Sequence, residues 1–269
     1  MRGASAASLA SLTEVLGAAV DKGESGEQLA SDLFGMATLL SQEPGLRRVV
    51  TDASVDAKAR SGLVSQVFSG KVGDGALEVL SQGAALRWAS TGDLGKALEQ
   101  LAVVAVVKGA DKAGQGDALQ DDLFGISRLV STNPALRDAL SDPARSATDK
   151  RALLKGLLDG KVTPAALALV EQALSSAHRT VVAAIEHYTK LTAANRNKAA
   201  ATVRVARPLS DADKARLESA LTAKYGKPVH TNVVIDPELL GGIKVEIGDD
   251  VIDGTIASRL EDAGRRLAG

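Results

Sequence analysis

Apolar residues fall at Leu29, Leu33, Met36 and Leu40, and again at Leu119, Leu123, Ile126 and Val130, both times spaced i, i+4, i+7 and i+11. That spacing puts four side chains on one face of an α-helix, and such a face needs a partner to keep it from water. The two runs belong to a longer repeat. DLFGMATLLSQEPGLRRVVTD, starting at Asp32, aligns without a gap on DLFGISRLVSTNPALRDALSD, starting at Asp122, a shift of 90 residues. The same shift carries Asp21-Lys22 onto Asp111-Lys112, Leu63 onto Leu153, Gly70-Lys71-Val72 onto Gly160-Lys161-Val162 and Ala76-Leu77 onto Ala166-Leu167. One register held over that span identifies a duplication.

The punctuation repeats with the stripes. Pro44 and Pro134 open short helices, since a first turn tolerates a missing N–H. Breaks follow at Thr51-Asp52-Ala53-Ser54 and Ser141-Asp142-Pro143-Ala144, then helices carrying Leu63, Val67 and Phe68, or Leu153, Leu157 and Leu158. Gly70 and Gly160 suit left-handed caps at the ends of those helices. Each copy therefore reads as a bundle of five or six short helices. After residue 198 the period changes to two: Val203 and Val205 alternate with Thr202 and Arg204, and Pro208 ends the strand. Ser210 and Asp213 open a helix that buries Leu217, Leu221 and Tyr225 and closes at Gly226. Strands follow at His230 to Ile235 and Gly242 to Ile247, with a short return at Val251-Ile252 and a last helix from Thr255 to Leu267. The expected fold is mainly α: a first helical bundle over 1–97, a homologous second bundle over 98–198, and a small α+β module over 199–269.

Composition narrows the function. Aromatics make up 2% of the chain, so aliphatic side chains must build the cores. Lys+Arg 32 against Asp+Glu 33 gives a net charge of -1, too little field to gather nucleic acid or anionic lipid. The absence of cysteine removes disulfides, thiolate metal sites and thiol nucleophiles, and fits a reducing compartment. The longest apolar run, Leu101 to Val107, is about a third of the roughly 18 residues a membrane span requires. The N-terminal stretch reads as a first helix rather than a signal peptide, so no direct membrane span is expected.

Candidate chemistry is thin. Gly156-Leu-Leu-Asp-Gly160-Lys161-Val162 has the wrong spacing for a phosphate loop and lacks its hydroxyl residue. His178 and His187 stand nine residues apart, not the four that put two metal ligands on one helix face. Asp249, Asp250 and Asp253 surround a hairpin reversal, where local hydrogen bonding accounts for them. No catalytic residue, cofactor or metal site is expected. An enzyme built on those three aspartates is the weakest alternative, and a generic helical-repeat interaction adaptor is the stronger one.

The string from Asp236 to Leu260, with Leu240-Gly241-Gly242-Ile243, Val245, Ile247-Gly248-Asp249 and Val251-Ile252-Asp253-Gly254-Thr255, resembles the C-terminal motif of the delta subunit of F-type ATP synthase, called OSCP in mitochondria. Val205 to Ser210, Lys224 to Val229 and Asn133-Pro134-Ala135-Leu136-Arg137 are also similar to that family. The resemblance covers roughly residues 98 to 269; the extra helical copy resembles the long form found in high-GC actinobacteria. It implies a non-catalytic stator subunit, a monomer within its complex, held peripherally at the cytoplasmic face of the cell membrane. Its implied partners are the N-terminus of an alpha subunit, seated in a groove of the helical bundle, and the b subunits, bound through the C-terminal region. The groove helices carried over are those of Leu101, Val104 and Lys108 and of Leu167, Val170 and Leu174, whereas Leu240, Gly241, Gly242, Val251, Ile252, Asp253 and Gly254 are expected mainly to shape the backbone. Because the repeat keeps its apolar faces, the first copy is expected to offer a second groove or extra contact to b.

Overall fold

The computed structural model of the protein describes residues 1–176, 178–196, 199–226, 228–248, 250–258, 260 and 265. The chain divides into two units, Met1–Thr192 and Ala193–Gly269. Helices build the first: α1 (Ala4–Asp21), α2 (Gly26–Gln42), α3 (Pro44–Thr51), α4 (Ala57–Phe68), α5 (Asp74–Ala85), α6 (Asp93–Lys112), α7 (Gly116–Thr132), α8 (Pro134–Ser141), α9 (Ala147–Leu158), α10 (Pro164–Ala173) and α11 (Val181–Asn195). The bounds of α2, α3 and α4 recur 90 residues later as those of α7, α8 and α9.

Repeated hydrogen bonds explain the repeated bounds. Asp32 accepts from the Gly73 N–H at 2.8 Å, and Asp122 accepts from the Thr163 N–H at 2.6 Å, so the aspartate of each DLFG string ties down the start of the fifth helix in its copy. Asp52 and Asp142 each accept from the N–H two residues on, at 2.9 and 2.8 Å, turning the chain between the third and fourth helices. Pro44 and Pro134 occupy the first turns of α3 and α8. Gly70 and Gly160 adopt φ of 71° and 69° just beyond α4 and α9, the left-handed conformation that glycine takes without penalty.

One helix departs from the pattern of a simple tandem. Along α6, Leu94, Ala97, Leu98, Leu101, Ala102, Val103, Val104, Ala105, Val107 and Ala110 are all buried. A helix apolar on every side belongs inside a core. It packs on α1, α2 and α5 of the first copy and on α7 and α10 of the second. A single core accordingly joins Leu12 on α1 to Tyr188 on α11. The expected boundary between residues 97 and 98 lies inside this helix. It closes the first copy as a sixth helix and opens the second, whose own closing helix is α11.

The second unit contains β1 (Ala199–Val205), α12 (Asp211–Tyr225), β2 (Val229–Ile235), β3 (Ile243–Ile247) and β4 (Asp250–Asp253) in a sheet of order β2-β1-β3-β4. β1 runs parallel to β2, which requires a crossover, and α12 supplies it; β1 and β3, like β3 and β4, are antiparallel. Ala201, Val203, Val205, Leu221, Val229, Val245 and Ile247 form its core. The Ser210 side chain caps α12 by accepting from the Asp213 N–H, and Gly226 ends the helix at φ 67°. Residues 256–258, 260 and 265 of the expected last helix are helical, while Arg259, Leu267 and Asp249 lie outside the described residues. Among the described residues, no helix is long and apolar enough to cross a membrane.

Candidate partner-binding groove

The start of α10 is set by the Thr163 cap and by the tie to Asp122, which position Pro164, Ala165 and Ala168 opposite the last two turns of α6. There α6 contributes Val106, Gly109 and Ala110, and its C-cap Ala113 follows. These side chains are too short to close the seam, and a groove of about 590 Å³ remains. Its third wall comes from the other copy. Glu24, Ser25, Gly26 and Glu27 line it at the start of α2. A Cβ on Gly26 would meet the Ala105 carbonyl oxygen at 2.5 Å and the Gly109 Cα at 3.0 Å, so only glycine lets α2 cross α6 this closely.

The corresponding seam of the first copy, between α1 and α5, carries larger side chains on its α1 side. One repeat earlier, Val106, Gly109 and Ala110 are Leu16, Ala19 and Val20, which are 0%, 2% and 1% exposed. Pro164, Ala165 and Ala168 are replaced by Asp74, Gly75 and Glu78, and the Glu24 carboxylate lies where a Cβ on Gly75 would be. Larger apolar side chains thus fill the α1 side of that seam.

The residues singled out in the sequence lie on α6 and at α10, away from this groove. Leu101, Val104 and Val170 are buried in the core, and Lys108, Leu167 and Leu174 are half-buried; none of the six lines the groove. The lining residues carried a legible signal: Gly109, Ala110 and Ala113 are spaced along one face of α6, and the repeat shows a leucine and a valine where this copy has Val106 and Ala110.

A second cluster joins α6 to α11. The Tyr188 hydroxyl donates to Glu99 Oε1 at 2.6 Å, with both side chains buried. His178 Nε2 lies 3.9 Å from the same oxygen, and the His178 and His187 rings stand 4.8 Å apart. Gln100 Nε2 is 3.3 Å from His187 Nε2. The bend before α11 brings together two histidines that helical spacing alone would separate. Burial, then the Glu99 charge and hydrogen bond, raise the Tyr188 hydroxyl far above its ordinary range. Burial and then the neighbouring His178 lower the His187 imidazole from 6.5. Among the described residues no group of three or more His, Asp or Glu side chains could hold a metal ion.

In the second unit the glycine-rich motif is geometric. Gly242 has φ 83°, and a Cβ there would meet the Gly254 carbonyl oxygen at 2.4 Å. The Gly254 N–H donates to the Ile243 carbonyl at 2.9 Å and the Ile256 N–H to the Gly241 carbonyl at 3.0 Å. Asp253 accepts from the Thr255 hydroxyl and N–H at 2.7 and 2.9 Å, bonds that lower its carboxyl from the ordinary value. Desolvation and a hydrogen bond to Asp250 raise the Tyr225 hydroxyl. Asp253 is thus engaged locally, whereas Asp250 is engaged by Tyr225 of α12. Ile252 is half-buried, whereas Leu240 and Val251 are 79% and 59% exposed.

Comparison with known proteins follows the same division. A family model for the ATP synthase delta (OSCP) subunit matches residues 103–267, beginning inside α6 and leaving the first copy outside. The ATP synthase subunit delta of Nocardioides sp. is 50% identical over 273 residues, covering 100% of this chain and 98% of that protein. That of Kineococcus radiotolerans is 41% identical over 273 residues, covering 99% and 98%. A chain in the cryo-EM structure of the Toxoplasma gondii mitochondrial ATP synthase hexamer is 17% identical with a TM-score of 0.34, covering 62% of this chain and 95% of that one.

Proposed function

Since the chain belongs to the ATP synthase delta (OSCP) subunit family, we propose that it works by contact alone, as a peripheral-stalk subunit that links the F1 head to the b subunits of Fo. Shaft rotation exerts an opposite torque on the catalytic head, and a stator that resists it lets proton-driven rotation make ATP. The chain acts as a monomer at the cytoplasmic face of the membrane, attached through the complex.

The open α6–α10 groove carries this reading. Its lining of small and apolar residues suits an amphipathic helix laid along it, the mode in which apolar anchors give affinity and no reacting group is needed. Each Leu or Ile seated there gains about 1.5–3 kcal/mol from burial. The occupant is the N-terminal helix of an alpha subunit, and the exposed Leu240 and Val251 belong to the surface for b.

Titration of the full chain with a peptide copying about the first 20 residues of the alpha subunit, some 30 Å as a helix, tests the proposal. Calorimetry is expected to give one saturable site with Trp88 emission unchanged, because Trp88 is not among the groove residues. Absence of binding overturns it.

A further inference from the structure

The groove has a wall that does not belong to its own copy, and that wall is charged. Glu24 and Glu27 stand at the end where α2 crosses α6. Both carboxylates are stationed in the free protein. Glu27 lies in the first turn of α2, and Glu24 lies against Gly75 in the first turn of α5, both places where a helix dipole favours negative charge. The ammonium of Lys112, the cation among the groove residues, is engaged by the Val20 carbonyl at the end of α1, to which it donates. The remaining lining is uncharged: Ser25 and Gly26, Val106, Gly109 and Ala110 from α6, Ala113 and Gln115 just beyond it, and Pro164, Ala165 and Ala168 from α10.

We infer that the first helical copy serves as a selective wall of the second copy's groove, and that Glu24 and Glu27 choose an amphipathic helix bearing basic side chains at the end that meets them. The inference rests on the reading that the groove holds a partner helix, and it adds the partner's chemistry and a role for the extra copy. The fit is complementary: an apolar trough takes the apolar face, and two fixed carboxylates take the cationic end. Charge placed at the rim of an interface mainly sets which partner is accepted. The filled α1 side of the α1–α5 seam fits this division of labour.

The test uses the full chain and two synthetic amphipathic helices of about 20 residues, identical in their apolar face, one with lysines at both ends and the other with glutamines in their place. Calorimetry at low salt is expected to give one peptide per chain, the lysine peptide binding about tenfold more tightly, a difference of about 1.4 kcal/mol. The preference is expected to shrink with added salt and to vanish in the Glu24→Gln/Glu27→Gln double variant. The melting temperature of the variant checks its fold, and the single variant Glu27→Gln, at an exposed position, is expected to lose part of the preference. Equal binding of both peptides to the native chain, persistence of the preference in the double variant, or two peptides per chain would overturn the inference and leave the groove reading standing. Binding of neither peptide would overturn both.

Discussion

The two helical copies share helix bounds, aspartate ties and turn chemistry, yet larger apolar side chains fill the α1 side of one seam between first and fifth helices, while a groove stays open at the other. Local determinants survived duplication because each helix start and turn needs them wherever it stands. The seam changed because side-chain size across it affects neither caps nor turns. An open groove can thus accompany differences as small as those between Leu16 and Val106 or Val20 and Ala110, without any change in architecture.

The largest effect should come from the helix both copies use. Leu101→Ala removes a fully buried side chain from α6 and should cost about 2–5 kcal/mol. Hydrogen exchange should quicken in both copies, and protection retained in either would separate them. Next comes Ala168→Trp, which fills the groove from an exposed position on α10. We expect at least a hundredfold loss of peptide affinity, about 2.7 kcal/mol, with a melting temperature within a degree or two of the native chain. Glu78→Trp, its counterpart in the first copy, should leave binding intact. Asp32→Ala and Asp122→Ala each remove one capping bond and should cost about 1 kcal/mol; denaturant titration should find Asp122→Ala at least as costly, because that tie is partly buried and the Asp32 tie exposed.

The smallest effect is a pH dependence confined to the second copy. His187 has its folded pKa below 6.5, so the unfolded chain takes up the proton first as pH falls. The stabilising contribution is complete above about 6.5 and is lost as the pH drops through the lowered folded value. Glu99 opposes this loss, while His178 and Lys190 add to it. Amide exchange in α11, corrected for intrinsic rate, should quicken between pH 7.5 and 5.5, and His187→Gln should remove the change. The equivalent positions in the first copy, Trp88, Ala97 and Leu98 for His178, His187 and Tyr188, do not titrate in this range.

Most of the architecture was legible because its causes are local. The stripe from Leu29 to Leu40, Pro44 and Pro134 at helix starts, Ser210 as a cap and Gly226 as a stop each act within a turn or two of their own position. The groove was less legible because its walls come from positions far apart in sequence, Gly26, Val106 and Ala168 among them. On α6 the apolar pattern runs all round, so periodicity alone could not say which face opens outward, and Leu101 and Val104 proved to be core. His178 and His187 were separated by a spacing that holds only along one helix, and the bend before α11 removes that premise.

Sharing α6 also makes the duplication difficult to reverse. A descendant that lost residues 1–92 would still carry a helix whose Ala105 and Gly109 face is shaped for α2, and that face would be left bare to water and prone to sticking. Shedding the extra copy would therefore require several substitutions along α6 before the deletion could be tolerated, so the overlap works as a ratchet on the gene.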